Sequence, residues 1–296
     1  MAGPRVLVVG DLLYDMLAKA EGEIVLGTDT FVPIRVDAGG SGANAAAWLA
    51  HSGVETHFVG RVGDDVFGSF LEGEMGRAGV RSRLARDASL ATGKVFVLVD
   101  GAGERTMITD RGASEALGPE DLPEALFAGG HLHLSGYTFS GGSRRETAKK
   151  ALRLARAAGM TVSVDPSSAP LLGSVGPDRF LEWTRGADLL FPNLTEGETL
   201  TGEGDPDRIL EKLLPYYGAV VLKLGPDGAV YAGAGGNHIR EPAASVDARD
   251  TTGAGDAFSA GFLAAWLDGG SPAEALRGGA GIAGMAVGRV GARPTG

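Results

Sequence analysis

The segment Asp250–Phe262, with the sequence DTTGAGDAFSAGF, carries the residues best suited to chemistry. Its tight turn, Gly253–Gly255, leads into a predicted helix that begins near Ala254. A helix N-terminus offers unpaired N–H groups and the positive end of the dipole, and glycine lets an anion approach the backbone. We expect the Asp256 carboxylate to stay ionised there and to accept a proton from a hydroxyl that attacks phosphorus. The segment therefore predicts phosphoryl transfer, unless the turn only packs and Asp256 only pairs with the dipole.

A second glycine cluster, in the segment Gly39–Ala50, leads into an alanine-rich predicted helix. It contains a Gly-x-Gly-x-x-Ala pattern of the kind found in dinucleotide-binding folds. That pattern should follow the first strand and precede an acidic residue by about 20 positions, and here it does neither. Asn44 is the unusual residue of this helix. Its amide either binds a sugar hydroxyl or caps the helix.

Several other chemistries are excluded or disfavoured by residue type. The chain has no cysteine, which removes disulfides, thiolate metal sites and cysteine nucleophiles. It has no Gly-x-x-x-x-Gly-Lys-Ser/Thr element, so it is not a P-loop kinase. His131 and His133 share one face of a predicted strand, but with no third ligand nearby we expect them to pack rather than bind metal. The run that begins at Asp165 either borders a cleft or forms an ordinary turn.

Short apolar runs that alternate with amphipathic segments must position these residues, and this alternation predicts an α/β fold with a mostly parallel sheet. The predicted strands are Arg5–Val9, Thr56–Val59, His131–Leu134, Thr161–Val164, Leu189–Phe191 and Ala219–Leu222. The predicted helices include Ser143–Ala158, Ala254–Leu267 and Pro272–Val287. Two segments, Leu12–Val36 and Gly93–Ile108, instead resemble short strands with no helix between them. We therefore predict one domain, residues 1–296, with lid strands inserted at about 12–36 and 93–108.

Composition limits the class of protein further. The chain has 296 residues and a net charge of −10, with 44% hydrophobic residues and 49 glycines that follow no Gly-X-Y period. These values exclude collagen and a disordered chain. Because the balance is acidic and no basic run occurs, we expect neither nucleic acid nor a membrane as partner. No apolar stretch is long enough to span a membrane, and Asp11 comes too early for a secretory signal, so we expect a cytoplasmic protein.

Together, the segments Gly39–Ala50 and Asp250–Phe262 resemble the two signature motifs of the PfkB (ribokinase-like) carbohydrate kinase family, and the resemblance covers essentially the whole chain. It implies a ribokinase-like three-layer α/β/α fold with a small β-sheet lid. It also implies ATP-dependent phosphorylation of a sugar or nucleoside hydroxyl, with Mg2+ required. On the same grounds Asp256 is the catalytic base, and the backbone amides of Gly253, Ala254 and Gly255 form an anion hole for the transferring phosphate.

The resemblance extends to the nucleotide side of the site. The sequence Asn193-Leu194-Thr195-Glu196 resembles the family's Mg2+ and phosphate network, in which Asn193 and Glu196 act through water. From the residues alone, the same spacing is a capping box. The strand end and turn that follow Leu222 resemble the family's ATP-binding segment. The cofactor-binding residues implied are Asn193, Glu196, Lys223, Gly225, Gly228 and Ala283, although Lys223 is alternatively an ordinary solvated lysine.

On the acceptor side, Asp11 and Asp15 resemble the family's hydroxyl-binding acids, and paired carboxylates suit a polyol. Gly39, Gly40 and Asn44 complete this wall. The chain departs from ribokinase at Leu13, where ribokinase itself carries an Asn, which favours the fructokinase-like branch. It also lacks the Asn-Pro pattern of sugar-phosphate kinases, so a phosphorylated acceptor is not expected. Arg105 and Arg111 bind either an acidic sugar or surface carboxylates.

The resemblance also implies a monovalent cation and a dimer. The predicted K+ ligands are Asp250, Thr252, Ala286, Gly291 and Thr295. A homodimer through the lid is expected, and Val97, Val99 and Met107 are predicted to be exposed apolar residues that allow it. Alternatives to a sugar kinase are a nucleoside kinase with an aromatic slot formed by Tyr14, Phe96 and Tyr137, a non-catalytic sugar or nucleotide sensor, and a dinucleotide dehydrogenase.

Overall fold

The computed structural model describes residues 4–20, 22, 27–99, 105–233, 236 and 238–294. In chain order its strands are β1 (Arg5–Val9), β2 (Leu13–Lys19), β3 (Ile34–Gly39), β4 (Glu55–Gly63), β5 (Arg81–Asp87), β6 (Thr92–Val99), β7 (Arg105–Gly112), β8 (His131–Ser135), β9 (Thr161–Asp165), β10 (Leu189–Leu190), β11 (Ala219–Lys223), β12 (Ala229–Gly233) and β13 (His238–Glu241). Its helices are α1 (Ser41–His51), α2 (Val66–Arg77), α3 (Gly142–Ala157), α4 (Ala169–Val175), α5 (Pro177–Thr184), α6 (Leu194–Thr201), α7 (Pro206–Leu213), α8 (Ala254–Leu267) and α9 (Pro272–Val287).

The main sheet has nine strands within the described ranges, in the spatial order β13-β12-β11-β10-β9-β8-β1-β4-β5. Neighbours from β11 through to β5 pair in parallel. The two strands at the opposite edge, β12 and β13, pair antiparallel. The central strands are continuously apolar, and Val6, Val8 and Val9 are fully buried, because helices cover both faces of the sheet.

Two hydrophobic cores lie on opposite faces of this sheet. On one face α3, α5 and α7 pack through Leu152, Phe180 and Leu210. On the other face α1, α8 and α9 pack through Trp48, Phe262 and Leu276. The result is a three-layer α/β/α architecture with a mostly parallel sheet, which confirms the predicted fold class. Among the described residues, no helix combines the length and the apolar character that a membrane span needs.

A second sheet of four strands, in the order β3-β2-β6-β7, stands apart from the main sheet, and we call it the lid sheet. Its central pair, β2 and β6, is parallel, and the outer pairs are antiparallel. The strands come from the two segments that break the α/β alternation. However, β3 extends to Gly39 and β7 to Gly112, beyond the predicted ends at Val36 and Ile108. The prediction stopped early because the last residues of both strands are rich in Asp and Gly, which carry no strand signal.

The exposure of the apolar side chains on the lid sheet differs in part from the sequence-based expectation. Val97 and Val99 are only 5% and 8% exposed, so their predicted exposure is wrong. They pack with Leu13 and Val95 in a small core of the lid sheet's own. Met107 is exposed as predicted, and three more apolar residues of β3 and β7 are exposed with it: Ile34, Val36 and Ile108. A dimer through this sheet stays a prediction.

The junction between the lid sheet and the main domain is very short. Strand β3 ends at Gly39 and α1 begins at Ser41, so Gly40 alone separates them. Gly40 has a φ of 96°, and a Cβ added to it would lie 2.5 Å from the Asp11 carbonyl oxygen. Glycine is therefore required there both by the backbone conformation and by space.

Candidate active site

A cavity of about 530 Å³ lies where the carboxyl ends of the parallel strands meet the lid sheet. Ligands of open α/β sheets bind at this edge, beyond the carboxyl ends of the strands. Residues that follow β1, end β9 and end β11 line the cavity together with the N-terminal turns of α1 and α8. The lining includes Asp11, Asp15, Ser41, Asn44, Asp165, Asn193, Glu196, Lys223, Gly253, Gly255 and Asp256.

Asp256 occupies the first turn of α8 and is held by two donors from α1. The Ser41 hydroxyl donates to Oδ1 at 2.9 Å, and the Asn44 amide donates to Oδ2 at 3.0 Å. Burial, and then the negative charge of Asp165, raise the pKa of Asp256 from 3.8 to about 7. Burial therefore outweighs the two hydrogen bonds and the helix N-terminus, which by themselves would lower the pKa of this carboxyl. A pKa near neutrality suits a general base.

The turn before α8 has the conformation that an anion site requires. Gly253 is left-handed, with φ 72°, and a Cβ added to it would lie 2.6 Å from the Ala292 carbonyl oxygen. A Cβ added to Gly255 would lie 3.3 Å from the Lys223 ammonium, so this cation sits against the turn. The Ala254 amide donates to the Thr251 carbonyl at 3.3 Å. Its predicted part in the anion hole stays a prediction, as do those of the two glycines.

Lys223 is not a solvated lysine but half of a buried ion pair. Its ammonium lies 2.7 Å from Asp165 Oδ2, and the two side chains are 11% and 5% exposed. Ser259 donates to the same carboxylate oxygen at 3.0 Å. Although burial opposes the charge on Lys223, Asp165 and Glu196 raise its pKa above its ordinary value. The Lys223 ammonium is therefore held in its charged form beside the first turn of α8, with Asp165 as its counter-ion.

Asn193 and Glu196 form the reciprocal capping box of α6. Glu196 Oε2 accepts from the Asn193 amide N–H, and Asn193 Oδ1 accepts from the Glu196 N–H, both at 2.9 Å. Burial, followed by the charge of Asp165, raises the pKa of Glu196 to about 7. A buried carboxyl beside a second carboxyl, with its pKa raised by both, suits a site that a divalent cation completes. Mg2+ commonly takes one or two carboxylates, several waters and substrate phosphates, so a cap residue serves it through water.

The acceptor side of the cavity holds Asp11 and Asp15. Asp11 Oδ1 accepts from the Gly42 N–H at 3.2 Å and from the Ser135 hydroxyl at 3.3 Å. Asp15 Oδ1 is buried without a hydrogen-bond partner among the described residues. Burial raises the pKa of Asp15 to about 7. An unpartnered buried carboxylate oxygen in a cavity wall is available to a ligand hydroxyl.

Gly39 makes this arrangement possible, and we predict that Gly39→Ala damages acceptor recognition. A Cβ added to Gly39 would lie 2.0 Å from Asp15 Oδ2, so the carboxylate must move. We expect a fall of about 10–100-fold in kcat/KM for the acceptor, with the KM for ATP unchanged. Steady-state kinetics with each substrate varied in turn measure this. Gly76→Ala is the matched control, because a Cβ added there meets nothing within 4 Å. Equal kinetics of the two variants would contradict the prediction.

Arg111 lies at the acceptor end of the cavity. Its guanidinium stacks 3.9 Å above the ring of Tyr137, and Nη1 lies 3.5 Å from Asp11 Oδ2. A stacked arginine is held in place yet keeps donors for an anionic or hydroxyl group. The side chain of Arg105 lies outside the described part of the structure.

Two of the three rings of the predicted aromatic slot have contacts of their own, and the slot stays a prediction. Tyr14 packs edge-to-face against Phe67 and Phe70, with ring centroids 4.8 and 5.3 Å away. Tyr137 is covered by Arg111. These contacts occupy two of the three rings that a nucleoside base was expected to meet.

The residues predicted to bind K+ are brought together in part. Asp250 accepts from the Thr252 N–H at 2.8 Å and from the Gly291 N–H at 3.1 Å, so it links the turn before α8 to the C-terminal loop. The Ala286 carbonyl caps α9 by accepting from the Arg289 N–H at 3.2 Å. Thr295 lies outside the described residues. The cation stays a prediction.

Of the remaining predicted nucleotide residues, Gly225 lines the cavity. Gly228 has a different reason to be glycine, since a Cβ added to it would lie 2.0 Å from the Glu241 carbonyl oxygen in β13. Ala283 is half-buried in α9 and packs against the core that contains Phe262. The roles of these three residues towards ATP stay predictions.

The three-layer fold, the lid sheet and the acid at a helix N-terminus together define a kinase of small hydroxyl compounds. A family model described as "pfkB family carbohydrate kinase" matches residues 4–295, and the chain belongs to this family. The family resemblance and the ribokinase-like fold predicted from the motifs are thereby confirmed. The chain is a carbohydrate kinase.

Individual relatives are similar over most of their length. An ATP-dependent ribose-1-phosphate kinase of Halopiger xanaduensis is 34% identical, with 98% of this chain and 94% of that protein covered. A fructokinase of Klebsiella pneumoniae is also 34% identical, with 88% and 83% covered. The crystal structure of adenosine kinase from Sinorhizobium meliloti superposes with a TM-score of 0.90 at 28% identity, with 99% and 96% covered.

Three site residues were not assigned from the sequence. Ser41 and Arg293 carried no signal, because their partners Asp256 and Asn44 are 215 and 249 residues away in the chain. Asp165 did carry one, since it directly follows the predicted strand Thr161–Val164 and begins the run Asp-Pro-Ser-Ser. Its pairing with Lys223 depends on the order of the strands in the sheet, in which only the short β10 lies between β9 and β11.

Proposed function

We propose that this protein transfers the γ-phosphate of ATP to a sugar hydroxyl, with Asp256 as the general base. The observation that carries the proposal is the buried Asp256 carboxylate, held by Ser41 and Asn44 beside the left-handed turn of Gly253. ATP binds on the side of Lys223, and the acceptor binds on the side of Asp11 and Asp15. The attacking hydroxyl gives its proton to Asp256 as the bond to phosphorus forms.

The chain's own residues supply positioning and charge. Lys223 and the N–H groups of the turn face the phosphate. Asp15 accepts a hydrogen bond from a sugar hydroxyl and so orients the sugar. Mg2+, when bound near Glu196, neutralises charge on the phosphate oxygens. The lid sheet covers the acceptor and excludes water, which would otherwise compete for the γ-phosphate.

The proposal predicts a fall in activity on acidification. The pKa values of both Asp256 and Asp15 are raised to about 7, so in the free protein each carboxyl gains its proton as the pH falls through neutrality. Since a base must be ionised, we expect kcat/KM for the acceptor to fall about tenfold or more per pH unit below about pH 7. A profile from about pH 5 to about pH 9, at saturating ATP, measures this. A flat profile down to about pH 5 would contradict it.

A second candidate is an acceptor that already carries an anionic group, and the position of Arg111 favours it. A guanidinium stacked on Tyr137 at the cavity wall fits a carboxylate or a phosphate ester. The ribose-1-phosphate kinase relative has such an acceptor in its name. The missing Asn-Pro pattern argues for a neutral sugar.

A panel of acceptors tests these proposals. ADP release is measured with fructose, ribose, ribose 1-phosphate, 2-dehydro-3-deoxygluconate and adenosine, with and without K+. Release with a neutral sugar supports the first candidate, and release with only the anionic sugars supports the second. Adenosine alone would make the protein a nucleoside kinase. Binding of ATP and sugars with no ADP release would make it a sensor.

A further inference from the structure

The last described residues, Gly291–Pro294, run between α1 and the turn before α8. The Trp48 indole donates to the Ala292 carbonyl at 2.9 Å, and both groups are buried. Gly253 lies so close that a Cβ added to it would meet the same carbonyl oxygen. This loop is therefore packed against both halves of the machinery, the helix that holds the base and the turn that faces the phosphate.

Arg293 points from this loop into the protein, where it is 8% exposed. Its Nε donates to Asn44 Oδ1 at 2.9 Å, and its Nη2 donates to the Gly39 carbonyl at 2.9 Å. Nη1 lies 3.5 Å from the sulfur of Met75. Burial lowers the pKa of Arg293 to about 10, so the guanidinium is charged at neutral pH. Burying a charge is costly. The hydrogen bonds of this guanidinium go to an amide, a carbonyl and a thioether, and the nearby acids Asp37, Asp15, Glu74 and Asp256 offset its charge through space.

The bond to Asn44 determines which way the Asn44 amide faces. Because Oδ1 accepts from Arg293, Nδ2 is the atom directed at Asp256, 3.0 Å away. With no donor on Oδ1, the amide is free to turn over and set its oxygen against the Asp256 carboxylate. That orientation removes a hydrogen bond from the base and replaces it with repulsion.

We propose that Arg293 is a positioning residue, which holds the Asn44 amide in the one orientation that supports Asp256. This rests on the proposed function, since Asp256 must be the base. Arg293 touches neither ATP nor acceptor in this arrangement and acts through Asn44. Its second bond, to the Gly39 carbonyl, fixes the backbone against which the Asp15 carboxylate lies. One buried arginine thus positions both the base and the acceptor wall.

Two substitutions separate positioning from stability. Arg293→Met removes every donor while keeping an unbranched side chain. Arg293→Lys keeps the charge but has a single donor nitrogen in place of three. We expect Arg293→Met to lower kcat about 10–100-fold per folded molecule, with the KM for ATP unchanged, and Arg293→Lys to recover part of the loss. Arg289→Met is the matched control, because Arg289 lies two residues before this loop and its guanidinium is 5.4 Å from the ring of Trp48.

The pH profile gives a readout that a merely structural role would not move. Asp256 faces Ser41 and Asn44 of α1, Asp165 of β9 and Lys223 of β11. Of these groups, only the Asn44 donor is held by Arg293. The Arg293 charge also interacts directly with Asp256, and Arg293→Lys, which keeps that charge, isolates the effect of the donor. Losing that donor raises the pKa of Asp256, so the acid limb of the kcat profile moves to higher pH in Arg293→Met. An unmoved limb with an unchanged kcat would overturn the proposal.

A double-mutant cycle with Asn44→Ala tests the route of the effect. If Arg293 acts through Asn44, then Arg293→Met or Arg293→Lys changes kcat by less than about threefold in the Asn44→Ala background. Fully multiplicative losses would show that Arg293 acts independently of Asn44, and would overturn the proposal. The lysine variant serves if the methionine variant does not fold.

The outcome is separable from a failure of the proposed function. Wild-type protein must phosphorylate an acceptor, and Asp256→Asn must lose that activity. If Asp256→Asn remains active, Asp256 is not the base and the proposed function falls with the inference. If Asp256→Asn is inactive and both Arg293 variants retain full kcat, only the role of Arg293 is refuted.

Discussion

Asp256→Asn lowers kcat about 10²–10⁴-fold while the protein stays folded and still binds ATP. The substitution keeps the shape of the side chain but replaces one carboxylate oxygen with an amide nitrogen that cannot take the proton of the attacking hydroxyl. Ser41 and Asn44 both donate to the native carboxylate, so one of these two bonds is also lost. ADP release, ATP binding and a melting curve on the same preparation measure the three expectations.

The matched control is Asp268→Asn. Asp268 is exposed and lies just beyond the other end of α8, so the same chemical change there leaves kcat unaltered. Loss of ATP binding in Asp256→Asn would mean that the residue organises the nucleotide site rather than the proton transfer. Full turnover in that variant would remove Asp256 from the mechanism.

Lys223→Met lowers the free energy of unfolding by about 3–5 kcal/mol, because it leaves the Asp165 carboxylate buried and unpaired. Asp165 is 5% exposed, and Ser259 is too weak a partner to replace an ammonium 2.7 Å away. Adding Asp165→Asn to Lys223→Met removes the orphaned charge and recovers most of the loss. Urea unfolding of the two single variants and the double variant measures this.

Lys212→Met is the control for the lysine substitution. Lys212 pairs with Glu203 at 2.6 Å, but its side chain is 52% exposed, so we expect a loss below about 1 kcal/mol. If Lys223→Met is as mild as Lys212→Met, the ion pair with Asp165 does not stabilise the fold. If the double variant is no more stable than Lys223→Met, the cost does not come from the orphaned carboxylate.

The last two helices, α8 and α9, were predictable because their N-terminal ends carry strong local signals. Helix α9 begins at Pro272 behind a Ser271 cap with Glu274 three residues later, and α8 begins behind the glycine turn. Strands β5, β12 and β13 were not predicted. Strands β5 and β13 are the two edges of the main sheet, where the apolar run is interrupted by residues such as Arg83 and Arg240. Strand β12 lies next to β13 and is mostly buried, but its Ala and Gly residues give it a weak strand propensity.

For the site, the sequence carried the residues within each motif but not the contacts between motifs. Asp256 and Asn44 were both singled out, yet nothing local shows that they meet, because that contact depends on α1 and α8 lying side by side. Lys223 was assigned towards phosphate without its partner Asp165 for the same reason. The raised pKa of Asp256 was not predictable, since burial is a property of the folded protein and local sequence reports only the helix N-terminus.

The one-residue junction at Gly40 connects the lid sheet to α1 almost rigidly. β3 runs directly into the helix whose first turn carries Ser41 and Asn44, the two donors of Asp256. A change in the tilt of β3 has only the torsions of Gly40 to absorb it before the N-terminus of α1 must move as well. Under the proposed function, we therefore expect a substrate that binds beneath the lid sheet to shift the N-terminus of α1 and, with it, the two donors of Asp256.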